Sequence, residues 1–132
     1  RKTPAKPARG KETILVVEDD PDILKFVSQT LESFGYTVYS AGNGEEALAF
    51  VRNQKPALDL LFTDVIMPKM GGEELAETLT RELPQLKIIF SSGYTDKHIT
   101  RDGILGPNTH FLQKPYGLKA LSLKVREVLD KR

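Results

Sequence analysis

Short apolar runs alternate with stretches of helical periodicity along the chain from residue 13 onward. A short apolar run is typical of a buried strand, whereas apolar positions spaced three and four apart mark one face of a helix. The apolar runs predict five strands, at residues 13–17, 36–40, 58–63, 87–91 and 110–113. The helical patterns predict five helices, at residues 21–34, 45–53, 73–83, 96–105 and 118–128.

The order of these elements predicts the fold class. Five strands that alternate with five helices imply an α/β fold, in which a single parallel sheet is covered by helices on both faces. Local signals bound the first helix: Asp20 is a typical N-cap, Pro21 suits the first helical position, and Gly35 suits the end. The fourth helical pattern is interrupted by Gly103. The chain has no internal repeat and no sign of a second domain.

The composition is that of one ordinary globular domain. A chain of 132 residues can bury a core, and its 39% hydrophobic and 28% charged residues are usual values. The absence of cysteine excludes disulfides and thiolate metal sites. No apolar run approaches the roughly 20 residues of a membrane span, and no signal-peptide pattern opens the chain. We expect a cytoplasmic domain without direct membrane contact. The chain begins with Arg1 rather than methionine, which indicates either a domain excised from a longer protein or trimming of the N-terminus.

The net charge of +1 conceals an uneven distribution. Residues 1–11 carry five basic side chains, two prolines and no acid, which predicts a flexible basic linker ahead of a domain at 12–132. The remaining 14 of 19 basic residues stand against 18 acidic residues, a net charge of −4. This mildly acidic domain has no basic stripe, which argues against direct binding of nucleic acid.

The residues that follow the predicted strands carry the candidate chemistry. In an open parallel sheet, the functional crevice lies outside the carboxyl ends of the strands. Glu18 and Asp19 follow the first strand, Asp64 the third, Ser92 the fourth and Lys114 the fifth. Three acids, a hydroxyl and a lysine are therefore predicted to meet at one rim of the sheet.

This set of side chains suits phosphoryl transfer to a carboxylate. Crowded acids repel one another, so at least one carboxyl pKa rises unless a cation is present. Carboxylates, waters and a phosphate together favour Mg²⁺ (or Mn²⁺). An aspartate such as Asp64 can act as the nucleophile and form an aspartyl phosphate. Lys114 and Ser92 would then each contact one phosphoryl oxygen.

Each of these residues also has a purely structural interpretation. An acid after a strand often caps a turn or helix, a serine there often forms a turn, and a lone lysine is usually a surface charge. Phe111 fits an ordinary core position. The functional interpretation depends on the joint placement of these residues at the ends of four strands.

Four motifs at these strand ends resemble the receiver domains of response regulators in two-component systems. The resemblance extends from residue 13 to about residue 130 and implies the doubly wound, flavodoxin-like strand order 2-1-3-4-5, a three-layer sandwich. The motifs are Ile-Leu-Val-Val-Glu-Asp-Asp-Pro at 14–21, Phe-Thr-Asp-Val-Ile-Met-Pro at 62–68 with Gly71-Gly72, Ser-Ser-Gly-Tyr at 91–94, and Lys-Pro-Tyr at 114–116.

The resemblance implies a role for each acid of the site. Asp64 is implied as the phosphoacceptor. Asp19 and Asp64 would bind Mg²⁺ directly together with the backbone carbonyl of Ile66, and Glu18 would act through water. Lys114 would pair with the phosphoryl group, and its peptide bond to proline is typically cis in the family.

The resemblance also implies a switch and a tuning pair. Ser92 is implied as the switch hydroxyl and Phe111 as the switch aromatic, while Ile66 and Tyr94 hold positions that tune the lifetime of the phosphoryl group. This chain departs from the family pattern in having glutamate at position 18 and serine rather than threonine at position 92. Its glycine-broken fourth helix puts an output surface on that helix in doubt.

The resemblance implies a phosphorelay as the context. The expected partner is the dimerisation and phosphotransfer domain of a histidine kinase, or a histidine phosphotransfer protein. The chain resembles receivers fused behind the kinase core of hybrid sensor histidine kinases, in its basic segment and in the sequences Phe-Ser-Ser-Gly-Tyr-Thr at 90–95 and Phe-Leu-Gln-Lys-Pro-Tyr at 111–116. A stand-alone regulator is the alternative. As an isolated domain we expect a monomer. Whether it counts as an enzyme stays open, because such a domain assists its own phosphorylation and dephosphorylation.

Two other classes share parts of this pattern. A phosphatase of the haloacid dehalogenase type also uses an aspartate at a strand end, but it needs a second aspartate two positions later, where this chain has Ile66. A flavodoxin-like protein that binds flavin mononucleotide needs a polar, uncharged loop after the first strand. Here Glu18, Asp19 and Asp20 would repel the phosphate.

Overall fold

A computed structural model describes residues 9–92 and 109–131 of the chain. Each predicted element within these ranges is confirmed, with bounds that differ by two residues at most, and the helix predicted at 96–105 lies outside them. The strands are β1 (Thr13–Val17), β2 (Thr37–Ala41), β3 (Leu60–Asp64), β4 (Lys87–Ser92) and β5 (Thr109–Gln113). The helices are α1 (Pro21–Ser33), α2 (Gly44–Gln54), α3 (Gly72–Glu82) and the C-terminal helix (Leu118–Asp130).

The five strands form one parallel sheet in the order β2-β1-β3-β4-β5, which confirms the predicted α/β fold and strand order. Strand β3 lies at the centre, and all five of its residues are buried. The order reverses between β1 and β3, so the carboxyl ends of these two strands lie side by side. This reversal is where ligands bind in doubly wound sheets.

The sheet separates two apolar core clusters, because successive strand residues point to opposite faces. On one side, Leu15, Leu61 and Phe90 pack with residues of α2 and α3. On the other side, the neighbouring strand residues pack with α1 and the C-terminal helix; they are Ile14, Val16, Phe62 and Ile89. This two-sided burial explains why the inner strands β1, β3 and β4 consist largely of continuous apolar residues.

Helix α1 begins at the residue that the sequence indicates and ends one residue before the predicted end. The Asp20 carboxylate accepts hydrogen bonds from the backbone of Asp22 (2.9 Å) and Ile23 (3.3 Å), which caps the helix. After the helix, Gly35 has a φ of +105°, and a Cβ at that position would lie 2.3 Å from the carbonyl oxygen of Gly10. Glycine is therefore required there both by the backbone angle and by the approach of the N-terminal segment.

A polar network ties the N-terminal segment to the C-terminal helix at the amino ends of the strands. The Arg126 guanidinium contacts both carboxylate oxygens of Glu12, at 3.1 and 2.6 Å, and also binds Asp130 at 2.8 Å. It donates to the Tyr36 hydroxyl (3.3 Å) and to the carbonyl of Arg9 (3.2 Å). The described part of the basic segment, residues 9–11, therefore lies against the domain.

None of the helices in the described ranges has the length and apolarity that a membrane crossing requires.

We expect Glu12→Gln to lower the free energy of unfolding at pH 7 by about 1–2 kcal/mol, because the neutral amide loses the charged two-point contact with a partly exposed Arg126. Hydrogen bonding to Arg126 lowers the pKa of Glu12 from 4.5 to about 2. A depressed carboxyl pKa stabilises the fold fully above pH 4.5, and this stabilisation is lost as pH falls towards 2. Urea unfolding followed by circular dichroism should show the difference from wild type shrinking below pH 4.5.

The matched control is Glu82→Gln. It removes the Arg52–Glu82 ion pair (2.9 Å), whose two side chains are 55% and 42% exposed. We expect an effect of about 0.5 kcal/mol or less there. Equal losses in the two variants would contradict a special role for the Glu12–Arg126 pair.

Candidate functional site

Strand β1 delivers two acids to the switch point of the sheet. Glu18 directly follows the strand and is only 4% exposed; its backbone N–H donates to the carbonyl of Ala41 (3.1 Å). Its carboxylate accepts a hydrogen bond from the backbone of Asp20 (3.1 Å). Asp19, the next residue, is exposed. The turn into α1 therefore holds one acid inside the crevice and leaves the other at its mouth.

Strand β3 delivers the third acid. Asp64 is the last residue of the strand, 8% exposed, and its Oδ1 accepts a hydrogen bond from the backbone of Val65 (2.9 Å). Its own carbonyl accepts a hydrogen bond from the Thr63 hydroxyl (2.9 Å). Helix α3 packs closely behind this carbonyl, since a Cβ at Gly72 would lie only 2.0 Å from it. Backbone and side chain of Asp64 are thus both held in place.

Lys114 lies just after β5 and reaches back over the central strands. Its Nζ is 3.3 Å from Oδ2 of Asp64 and 3.5 Å from Oε1 of Glu18. The Lys114–Pro115 peptide bond is cis, as the family resemblance implies. The lysine thus lies between the two buried acids as their shared positive partner.

The three acids fit a hard divalent cation. Glu18, Asp19 and Asp64 each offer one carboxylate oxygen, and these oxygens lie within 4.8 Å of one another. An all-oxygen, anionic donor set of this kind is what Mg²⁺ prefers in proteins. The site therefore has the donors for a metal ion beside the Asp64 carboxylate.

The pKa values at the site reflect the burial of charge. Burial raises the pKa of Glu18 to about 7, with a further contribution from the charge of Asp64 and opposition from Lys114. Burial also raises the pKa of Asp64, although Lys114 lowers it in part. Burial lowers the pKa of Lys114, but the charges of Asp64 and Glu18 outweigh it and the net shift is upward. The expected rise of a carboxyl pKa is confirmed, with burial rather than mutual repulsion as its largest cause.

The remaining predicted residues occupy different positions. Ser92 ends β4 and pairs in register with Gln113 of β5, while its side chain lies outside the described part of the structure. Phe111 on β5 is partly buried, with its ring centroid 5.5 Å from that of Phe90. Ile66 is 64% exposed in the loop after Asp64. Tyr94 lies outside the described residues.

Three further residues, which the sequence pattern alone gives no role, take part in the site: Ser91, Tyr116 and Gly72. The Ser91 hydroxyl is fully buried and lies 3.3 Å from the Tyr116 hydroxyl. A signal was present in the sequence, because two serines end a buried strand and successive residues face opposite sides of a sheet. If Ser92 faces the crevice, Ser91 must face the core on the other side.

Fold and site together define a class of protein: a doubly wound α/β domain with an acid cluster, a buried aspartate and a lysine at its topological switch point. The family model for the response regulator receiver domain matches residues 14–126. The chain therefore belongs to the response regulator receiver domain family.

Relatives in this family include both long and short proteins. The chain is 37% identical over 123 residues to the sensor kinase CckA of Brucella abortus (strain 2308), covering 93% of this chain and 13% of that protein. It is also 37% identical over 116 residues to the response regulator receiver protein CpdR of the same organism, covering 88% of this chain and 95% of CpdR. The solved receiver domain of the hybrid histidine kinase CckA superposes with a TM-score of 0.75 at 30% identity, covering 89% of this chain and 99% of that one.

Gly72→Ala is expected to lower the free energy of unfolding by about 1–3 kcal/mol, because the added methyl group would overlap the Asp64 carbonyl and force the backbone to shift. Chemical denaturation measures this loss. Gly117→Ala is the control: it also lies at the start of a helix, but nothing stands within 4 Å of its Cβ position. Gly117→Ala should lower the free energy of unfolding by less than about 1 kcal/mol. Equal losses in the two variants would contradict the close approach at Gly72.

Proposed function

We propose that this receiver domain accepts a phosphoryl group on Asp64 from a phosphohistidine of a partner protein. The observation that carries the proposal is that Asp64 belongs to a cluster of three acids while its carboxylate lies 3.3 Å from the Lys114 ammonium. Acids alone would repel a phosphoryl group, and a lysine alone would not suit a cation. Together they provide a nucleophile, a cation site and a counter-charge for the transferred group.

The transfer proceeds as an in-line displacement at phosphorus. A carboxylate oxygen of Asp64 forms the new P–O bond while the P–N bond to the histidine ring breaks, and the ring nitrogen keeps the electron pair. Mg²⁺ held by Asp19, Asp64 and the Ile66 carbonyl, with Glu18 acting through water, would neutralise charge on the phosphoryl oxygens. The Lys114 ammonium, which already pairs with Asp64, would then form an ion pair with an oxygen of the transferred phosphoryl group.

The phosphoryl group would then bias a two-state switch. It adds negative charge and strong acceptor oxygens at the rim of the sheet. The Ser92 hydroxyl would move in to donate a hydrogen bond to one oxygen, and Phe111 would turn inward into the space that is freed. The partly buried position of the Phe111 ring beside Phe90 supports this role. The result is a population shift at the outer face of β4 and β5 rather than a new fold.

A hybrid sensor histidine kinase is the proposed parent. The match to a receiver within the sensor kinase CckA supports it, as does the basic segment that precedes the domain. A stand-alone regulator is the alternative, supported by the match along nearly all of CpdR. The length of the natural gene product separates the two contexts. In both, the proposed partner is a histidine-bearing phosphotransfer domain in the cytoplasm, and the isolated domain is proposed to be a monomer.

Asp64→Asn is expected to abolish phosphorylation, because an amide oxygen is a poor nucleophile in this reaction. Intact-mass spectrometry after incubation with acetyl phosphate should show one phosphoryl adduct on the wild type, dependent on Mg²⁺, and none on the variant.

Asp59→Asn is the matched control. Asp59 precedes the same strand at its opposite end, where its carboxylate accepts from the backbone of Thr13 (2.9 Å), and this variant should still be labelled. A labelled Asp64→Asn protein would refute the assignment of the acceptor. Sustained hydrolysis of a phosphomonoester would instead favour a phosphatase.

A further inference from the structure

Tyr116 connects the loop that carries Lys114 to strand β4. Its hydroxyl lies 3.3 Å from the hydroxyl of Ser91, which is fully buried in the strand. Its ring packs edge-on against Phe62 of β3, with centroids 6.1 Å apart and ring planes at 82°. The residue two positions after the lysine thus contacts both β3 and β4.

The two hydroxyls are not needed to fill space. They border the apolar cluster between the sheet, α1 and the C-terminal helix, where phenylalanine and alanine would pack as well. Burying hydroxyls is costly unless they pair, and replacing both members of such a pair with apolar groups can leave stability nearly unchanged. The hydrogen bond therefore adds little to the stability of the fold. Its effect is to restrict the position of the tyrosine side chain and of the loop that carries it.

Lys114 is a side chain that needs such a constraint. Lysine has a long, flexible stem, so the position of its ammonium depends on where its backbone is held. That backbone leaves β5, which is an edge strand with β4 as its neighbour in the sheet. Gln113 is the last residue of β5 that pairs with β4. After it, the chain leaves the sheet, and the next contact with β4 is the hydrogen bond between the Tyr116 and Ser91 hydroxyls.

We propose that Tyr116 is a positioning residue for phosphoryl acceptance: its hydrogen bond to Ser91 fixes the loop from which Lys114 reaches Asp64. The inference rests on the proposed function. A charge aimed at the transferring group contributes to the rate only when it is already in place, so a small displacement of the ammonium slows the reaction. Because Ser91 precedes Ser92, the same bond also ties the lysine loop to the strand that carries the proposed switch hydroxyl.

The test compares rates of labelling by acetyl phosphate at saturating Mg²⁺. We expect Tyr116→Phe and Ser91→Ala each to label about two- to tenfold more slowly, the range that corresponds to loss of one hydrogen bond. The double variant should be no slower than the slower single variant, because both substitutions remove the same bond. Tyr36→Phe is the control: it deletes a tyrosine hydroxyl that contacts Arg126 at 3.3 Å, far from the site, and should leave the rate unchanged.

Two readouts separate positioning from a merely structural role. Thermal unfolding of the double variant should match that of wild type although its labelling stays slow. In a Lys114→Ala background, Tyr116→Phe should cause no further loss of rate, because the tyrosine acts through the lysine. An unchanged labelling rate in Tyr116→Phe would overturn the proposal. It would also be overturned if Tyr116→Phe slowed labelling as much in the Lys114→Ala background as it does in the wild-type background.

Failure of the proposed function gives a different result. If wild type takes no phosphoryl group under any condition, the acceptor assignment fails. Carbon–proton NMR of the lysine ε-methylene groups then tests the contact itself. The Lys114 signal should shift in Tyr116→Phe and not in Tyr36→Phe, and an unmoved signal would overturn the positioning role.

Discussion

The constraint on which this domain depends is the burial of two carboxylates at the ends of neighbouring central strands. Glu18 and Asp64 are each more than nine-tenths buried, and Lys114 lies within 3.5 Å of both. A buried carboxylate resists ionisation, and the pKa of Glu18 accordingly rises from 4.5 to about 7. The fold therefore loses stability from Glu18 as pH rises from 4.5 towards 7. Lys114 already limits that loss, because its charge opposes the rise of the Glu18 pKa, and a cation among the three acids would reduce the loss further.

The rest of the fold determines where this charge is concentrated. The reversal of strand order between β1 and β3 puts their carboxyl ends side by side, and the close approach of Gly72 holds helix α3 against the backbone of Asp64. At the amino ends of the strands, the Arg126 network has the opposite effect, because it pairs a carboxylate and so stabilises the fold. Its carboxylate, Glu12, is paired and partly exposed, so its pKa falls to about 2 and its charge stabilises the fold. The two ends of one sheet thus differ in kind: one end carries a stabilising ion-pair network, and the other carries the buried acids and the lysine of the candidate site.

Periodicity alone predicted the sheet, because strands buried on both faces and helices with one apolar face leave clear patterns in the chain. The acids and the lysine of the site were predictable from the strand ends, since parallel strands bring their carboxyl ends to one rim. The Glu12–Arg126 pair was not predictable, because its partners stand 114 residues apart and each resembles an ordinary surface charge. The Ser91–Tyr116 contact was missed for a related reason. The alternation of strand faces gives the side on which Ser91 lies, but only the path of the loop after β5 brings a hydroxyl to it.

The uncharged contact of Tyr116 suits a site that already holds several buried charges. A lysine that neutralises two buried acids must be held firmly. The proposed function also requires strand β4 to move when a phosphoryl group is accepted. A neutral hydrogen bond between two hydroxyls meets both needs, because it is directional but contributes only about 1 kcal/mol. A second ion pair in its place would bind the loop more tightly and would add a charge to a crevice where each charge already shifts the pKa of its neighbours. The anchor of the lysine is therefore polar, uncharged and weak enough to rearrange with β4.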